Sequence, residues 1–213
     1  MKLKTITTPI GTAVYPWLNE PDTKFESQRA KGGEFHVNVR LVETDATPLI
    51  KELEDTLKEW VKVKNQEQKD AKKKPYAAFG TKPWREVLDD EGNPTGEWDV
   101  ICKLGKQWTD RDGNTRENKI AFRDAAMSPF TPDDIIGSGS RIRVNFKVRG
   151  WASPLGACLA FDIVSVQVVE LNAMAGGDTT FGFEPTTGFI AITEEGDGPS
   201  EDVTAAEAAD GDF

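Results

Sequence analysis

The segment RIRVNFKVRGW at residues 141–151 constrains the fold more than any other part of this chain. Its apolar residues Ile142, Val144, Phe146 and Val148 occupy every second position, and charged or polar residues mostly fill the positions between them. A repeat of two residues is typical of a strand with one buried face and one solvated face, whereas a helix repeats about every 3.6 residues. Such a strand has to bury its apolar face, so the segment predicts a mainly β domain.

Four further segments have the composition of strands. They are EFHVNVRLVE (34–43), EWDVICKL (97–104), NKIAF (118–122) and ACLAFDIVSVQVVEL (157–171). The sequence TDRDGNTR precedes NKIAF and predicts a hairpin turn. About five strands with one main helix predict a small mixed barrel.

The helix is predicted at about residues 47–72, with Thr47 as N-cap and Pro48 at the first helical position. Acidic residues cluster early in this stretch and lysines late, as the helix dipole favours. Residues 75–94 contain prolines, glycines and charges and are predicted to form a long ordered loop. The apolar residues at helical spacing are Ile50, Leu53, Leu57, Trp60 and Val61.

The chain has a net charge of −10, which by itself argues against a polyanionic partner. Eight carboxylates and no Lys or Arg lie in residues 194–213, however, and the remainder has 28 acidic against 26 basic side chains. A nearly neutral body can carry a basic face. The last residues are too polar to fold, so we expect a folded domain at 1–192 and a disordered tail at 193–213. The tail residues of interest are Glu194, Glu195, Asp197, Glu201, Asp202, Glu207, Asp210, Asp212 and Phe213.

The polar face of the 141–151 strand carries Arg141, Arg143, Lys147 and Arg149, and Trp151 shares their parity. Cations that follow phosphates, together with aromatic rings that stack on bases, are what binding of single-stranded nucleic acid requires. The same pattern fits a solvated outer face with a tryptophan that caps the core, and the strand alone leaves both interpretations open. The same combination recurs in Lys103, Lys106 and Trp108.

Other chemistries have little support in the sequence. Cys102 and Cys158 form no CxxC pair, so neither a disulfide framework nor a zinc cluster is expected, and a reducing cytoplasm fits. His36 is the single histidine, and no catalytic residue, metal or cofactor is predicted. IIGSGSR lacks the ending of a P-loop, and DRDGN lacks the spacing of a calcium loop, so both are interpreted as turns. No apolar run reaches the length of a signal peptide or membrane span.

The order and spacing of several segments resemble the single-stranded DNA-binding proteins of T-seven-like phages, the T-odd podoviruses. The resemblance covers nearly the whole chain. The segments that carry it are GTA (11–13), FHVNVRL (35–41) with the helix after it, IIGSGSRIRV (135–144), LGACLAFDIVSVQVVEL (155–171) and the ending DGDF.

The resemblance implies an OB-fold, a five-stranded Greek-key barrel, with an inserted α-helix and an acidic tail. It also implies binding of single-stranded DNA without strong sequence preference, strand annealing, and a role in phage replication, recombination and repair in the cytoplasm of the infected host. The implied partners are the phage DNA polymerase and helicase-primase, through the tail, and a second copy in a homodimer. The candidate DNA contacts are Trp151, Arg141, Arg143, Lys147, Arg149, Lys103, Lys106, Trp108, Lys4 and Lys31.

The ending on Phe213 suggests a hypothesis for the tail. A flexible polyanion tethered beside a basic groove has an effective concentration of about millimolar. Its carboxylates would imitate phosphates and Phe213 a stacked base, so the tail is expected to compete with DNA and, once displaced, to recruit replication enzymes. A solubilising tail is the alternative. For the whole chain, the alternative is a non-enzymatic interaction module that binds an acidic protein partner.

Overall fold

The computed structural model describes residues 4–24, 32–76, 82–132, 135–153 and 156–172. Within these ranges the chain forms eleven strands and one helix. In chain order they are β1 (Thr5–Thr7), β2 (Gly11–Asp22), β3 (Glu34–Val42), α1 (Glu43–Asp70), β4 (Trp84–Leu88), β5 (Pro94–Gly105), β6 (Gln107–Thr109), β7 (Thr115–Glu117), β8 (Ala121–Arg123), β9 (Pro129–Phe130), β10 (Arg141–Ser153) and β11 (Gly156–Glu170). No helix in these ranges is both long and apolar enough to cross a membrane.

Five of the strands close into a barrel. β2 pairs with β3, β3 with β5, β5 with β11, β11 with β10, and β10 with β2. All of these pairings are antiparallel except that of β5 with β11. A closed ring of five strands is the OB-fold arrangement, so the predicted fold is confirmed.

The remaining strands extend this sheet or stand apart from it. β1 adds to β10, β4 to β5, β8 to β11, and β9 to β8. β6 and β7 form a separate hairpin. The residues at 118–122, predicted as a strand, contribute only the beginning of the short β8, which lies outside the barrel ring.

The barrel interior follows from the alternation in β10. Val144, Phe146 and Val148 are fully buried, as their parity predicted. The ring centre of Phe146 lies 4.6 Å from that of Phe161 on β11. Trp84 stacks on the same Phe161 ring, with the two ring centres 5.9 Å apart. Burial of each such side chain contributes about 1.5–3 kcal/mol, so these rings hold the barrel strands together.

The helix differs from its prediction at its start. α1 begins at Glu43, four residues before Thr47, and it ends at Asp70. Thr47 is therefore not the N-cap; its hydroxyl donates a hydrogen bond to the carbonyl of Glu43, and Pro48 lies inside the helix. The earlier start places Asp45 in the first turn, where the dipole favours an acid, and buries Ala46 completely.

Several strands lie where none was predicted, and among them β2 and β4 are the two that are longer than three residues. In β2, Tyr15 has a φ of 50° and Pro16 follows it, so the pairing with β3 shifts between Val14 and Trp17. This irregularity hides the alternation that would have identified the strand. β4 lies within the stretch predicted as a long loop and pairs with β5.

Candidate nucleic-acid interface

A groove of about 500 Å³ lies where β5 and β11 run side by side. We call it the Trp151 groove. It brings together three of the predicted site residues, Lys103, Arg149 and Trp151. β3 adds Glu34 to the lining, so the second and third strands of the barrel, β3 and β5, both border the groove. OB-folds bind oligonucleotides on the face of these two strands. Its other charged or polar lining residues are Glu34, Lys82 and Asp162.

Trp151 reaches the groove because it keeps the parity of the outward-facing residues of β10, and the alternation ends only after it, at the exposed Ala152. Arg149 and Trp151 both point out of the barrel, and Trp151 retains 37% of its accessible surface. It lies opposite Cys158 of β11, a buried thiol whose pKa is raised by burial. A large ring with a partly exposed surface is suited to stacking on a base.

The helix holds this end of β10 in place. The ring of Trp60 packs directly on Gly150, where a Cβ atom would come within 2.2 Å of the ring. The indole Nε1 of Trp60 donates a hydrogen bond of 3.4 Å to the carbonyl of Trp151. A glycine is therefore required beside Trp151, and α1 supports the backbone of the proposed stacking residue.

The groove cations already have carboxylate partners. Arg149 donates from Nε and Nη2 to the two oxygens of Asp162, at 2.7 and 3.0 Å, and this pairing raises the pKa of Arg149 above its usual value. Lys103 Nζ donates to Glu34 Oε1 at 2.9 Å. Phosphates would have to displace or share these carboxylates, so the acids moderate the attraction of the groove for a polyanion.

Lys82 was not predicted as a site residue but lines the groove. Its Nζ lies 2.9 Å from Glu54 Oε1 on α1 and 5.4 Å from the centre of the Trp84 ring. No sequence pattern marked Lys82 as a site residue, because it precedes β4 in a stretch interpreted as a loop. The three cations and two acids of the groove leave one net positive charge.

A second recess of about 490 Å³ continues the groove toward the β6–β7 hairpin. The two share Leu104, Gly105, Arg149 and Asp162, and the recess is also lined by Trp108, which is half exposed. The predicted residues Trp108 and Trp151 therefore lie on one continuous surface.

The predicted turn of this hairpin is confirmed and depends on Asp110. Its Oδ1 accepts the backbone N–H groups of Asp112 and Asn114, at 3.0 and 2.8 Å, and its Oδ2 accepts Arg116 Nε at 3.0 Å. These hydrogen bonds lower the pKa of Asp110, and the one from the Asn114 backbone has the largest effect. Gly113, with a φ of 85°, completes the turn.

The other predicted residues lie away from the groove. Arg141, Arg143 and Lys147 are exposed along the outer face of β10, up to about 26 Å from Arg149 at the usual rise per residue. Lys4 is paired with Glu52 on α1. Lys106 lies on the other side of the β6–β7 hairpin. Lys31 and the predicted tail residues, from Glu194 to Phe213, are outside the described residues.

The single histidine, His36, has neighbours on both adjacent strands of the sheet. It lies opposite Trp17 on β2 and Lys103 on β5, and its Nε2 is 3.4 Å from Asp22 Oδ2. The pKa of Asp22 is lowered, mainly because its carboxylate accepts a hydrogen bond from the backbone N–H of Lys24. In the described ranges no three His, Cys, Asp or Glu side chains are grouped so as to hold a metal ion.

Residues 10–171 match the sequence profile of a family described as single-stranded DNA-binding protein of bacteriophage T7. Among solved structures, the chain is similar to gp2.5, a single-stranded DNA-binding protein encoded by bacteriophage T7. The TM-score is 0.65 with 21% identity, covering 89% of this chain and all of that one. The single-stranded DNA-binding protein of bacteriophage Enc34, in complex with single-stranded DNA, is similar with a TM-score of 0.53 and 10% identity, covering 78% of this chain and 86% of that one. No curated protein matches. The structural likenesses establish a shared fold.

Proposed function

The chain belongs to the family of single-stranded DNA-binding proteins represented by that of bacteriophage T7, and from this premise we propose that the DNA lies in the Trp151 groove. The family consists of binding proteins rather than enzymes. One observation carries the proposal: the groove joins an exposed tryptophan to Lys103 and Arg149 on the ligand-binding face of the OB-fold.

In the proposed complex a base stacks on Trp151, and the flanking phosphates exchange with the carboxylates that now hold Arg149 and Lys103. Because every base has a π-face, stacking requires no particular sequence. Trp108 provides a second ring along the same surface. The exposed Arg141, Arg143 and Lys147 add a positive field along β10, which attracts the strand without contacting it in the groove.

The test is anisotropy of labelled oligo-dT with the full chain and a Trp151→Ala variant. Loss of one stacking ring is worth about 1–3 kcal/mol, or an affinity reduced about 5- to 150-fold. Tyr15→Ala is the control, because Tyr15 is an exposed aromatic residue of β2 that does not line the groove. Equal losses in both variants, or none in Trp151→Ala, would contradict the proposed site.

The tail extends this proposal. It competes with DNA for the groove and, once displaced, binds the phage DNA polymerase and helicase-primase; its concentration of carboxylates in the sequence supports this. The protein acts as a homodimer in replication, recombination and repair, promotes strand annealing, and works in the cytoplasm of the infected host. The alternative partner of the basic face, an acidic protein, rests only on the charges of β10.

A further inference from the structure

A third depression, of about 570 Å³, lies on the other side of the β6–β7 hairpin. We call it the Lys119 cleft, after the exposed lysine on its rim. Lys106, which immediately precedes β6, and Arg123 of β8 also line it, and Glu117 is its one acidic lining residue. The cleft therefore carries an excess of two positive charges, against one in the Trp151 groove.

The cations of the cleft differ from those of the groove in their pairing. Lys103, Arg149 and Lys82 each form an ion pair shorter than 3.0 Å. Among the described residues, neither Lys106 nor Lys119 nor Arg123 has a carboxylate within ion-pair distance. An anion that enters the cleft meets three cationic groups without first displacing a carboxylate, so its binding there has a smaller desolvation and exchange cost.

The cleft is built on backbone contacts that fix its shape. The N–H of Lys106 donates to the carbonyl of Gly33, and the carbonyl of Lys106 accepts from Asn118 at 2.7 Å. Arg123 belongs to the short strand β8, which pairs with β11 of the barrel. The position of the cationic side chains therefore follows from the barrel and the root of the hairpin rather than from the hairpin tip.

Aromatic surface accompanies the charge. The rings of Phe122 and Phe130 lie 6.2 Å apart, edge to face, and both are only partly buried against the core. They line the cleft together with the three cations. Charge beside apolar ring surface suits a strand that presents both phosphates and bases.

The cleft is adjacent to the proposed DNA path. Asn118 lines both the recess of Trp108 and the Lys119 cleft, at the base of the hairpin that separates them. We propose that the Lys119 cleft binds a second stretch of single-stranded DNA, continuous with the stretch in the Trp151 groove. This inference rests on the proposed function for the first stretch and adds a second contact region that lengthens the bound strand.

The test compares oligo-dT of about 8 and about 30 nucleotides, because one OB-fold covers about 4–16 nucleotides. The variant Lys106→Ala/Lys119→Ala/Arg123→Ala removes the cations of the cleft. The matched control, Lys69→Ala/Lys73→Ala/Lys74→Ala, removes the same charge near the end of α1. Lys119→Glu alone changes one exposed side chain, and it serves if the triple variant unfolds.

The expected result is a larger loss of affinity for the long oligomer than for the short one. The dependence of log affinity on log salt concentration should also become shallower for the long oligomer. The magnitude of its slope should decrease by about 2, since each of the three lost phosphate contacts with a single strand contributes about 0.7. The control should leave both values close to those of the original chain.

Three outcomes decide between the possibilities. Equal effects of the cleft variant and the control overturn the cleft. Tighter DNA binding in the cleft variant also overturns it, and indicates that the acidic tail occupies the cleft instead. If Trp151→Ala weakens binding of neither oligomer while the cleft variant behaves as expected, the Trp151 groove is rejected as a DNA site and the Lys119 cleft is retained.

Discussion

Asp162 holds Arg149 through both of its carboxylate oxygens, and so occupies the guanidinium that a phosphate in the groove would contact. The pair is partly exposed, and such pairs contribute about 0.2–1 kcal/mol. Asp162→Asn should therefore tighten binding of oligo-dT by about 1.5- to 5-fold at low salt. Titration at two salt concentrations measures the change.

The matched control for this variant is Asp55→Asn, because Asp55 forms an exposed ion pair with Lys58 on α1, outside the groove. Both variants remove one negative charge from the chain. If they tighten binding equally, the effect belongs to net charge, and Asp162 has no local role.

The sequence predicted two of the three groove cations, Lys103 and Arg149, but not the acids that pair with them, for a physical reason. Lys103 and Glu34 are 69 positions apart, and only the register of β3 against β5 places them side by side. Likewise, the bulge in the pairing of β10 with β11 sets which residues face each other there. A period of two residues assigns side chains to a face, but it contains no information about the partner strand.

Among the elements, regular strands were predictable and interrupted ones were not. β10 was identified from its alternation alone, because nothing interrupts its apolar positions before Gly150. β2 closes the barrel yet was missed, since Tyr15 and Pro16 break its pattern at the bulge. The helix was predicted with its first helical residue at Pro48, although the five residues preceding this proline, 43–47, are helical.

The β6–β7 hairpin should respond to acid before the barrel does. The hydrogen bonds that lower the pKa of Asp110 favour its charged form in the folded turn. Their contribution is complete above the ordinary carboxyl pKa of 3.8, and it is lost as the pH falls through the lowered value. We expect the indole NMR signal of Trp108 to shift with hairpin opening in this acidic range, while signals of buried Trp84 remain.

Asp110→Asn should remove most of that acid-dependent shift and leave the turn weaker at neutral pH. Asp112→Asn is the matched control, because Asp112 lies in the same turn and its carboxylate accepts no hydrogen bond from the described residues. An identical acid response in the original chain and Asp110→Asn would assign the transition to another group.

For the molecule as a whole, the distribution of charge matters more than its sum. The net charge of −10 by itself argues against a DNA-binding protein, yet eight of the acidic side chains lie in residues 194–213. Within the described residues, basic side chains are present on three surfaces that could meet DNA: the outer face of β10, the Trp151 groove and the Lys119 cleft. The separation was visible in the sequence, whereas the division of the cations among three surfaces required the closure of the barrel.

The tail prediction follows from this separation of charge. A chain that ends at Thr193 loses eight carboxylates and Phe213, so its net charge changes from −10 to −2. If a tethered polyanion competes for the groove, removing it should raise the affinity for oligo-dT, most strongly at low salt where charges are least screened.

A variant of the full 213-residue chain, in which the eight carboxylates are replaced by amides, separates the effect of charge from that of length. Tightening in both chains supports competition by carboxylates, whereas tightening only in the truncated chain assigns it to Phe213 or to bulk. Equal affinity in all three chains would contradict competition and leave the tail available only for protein partners.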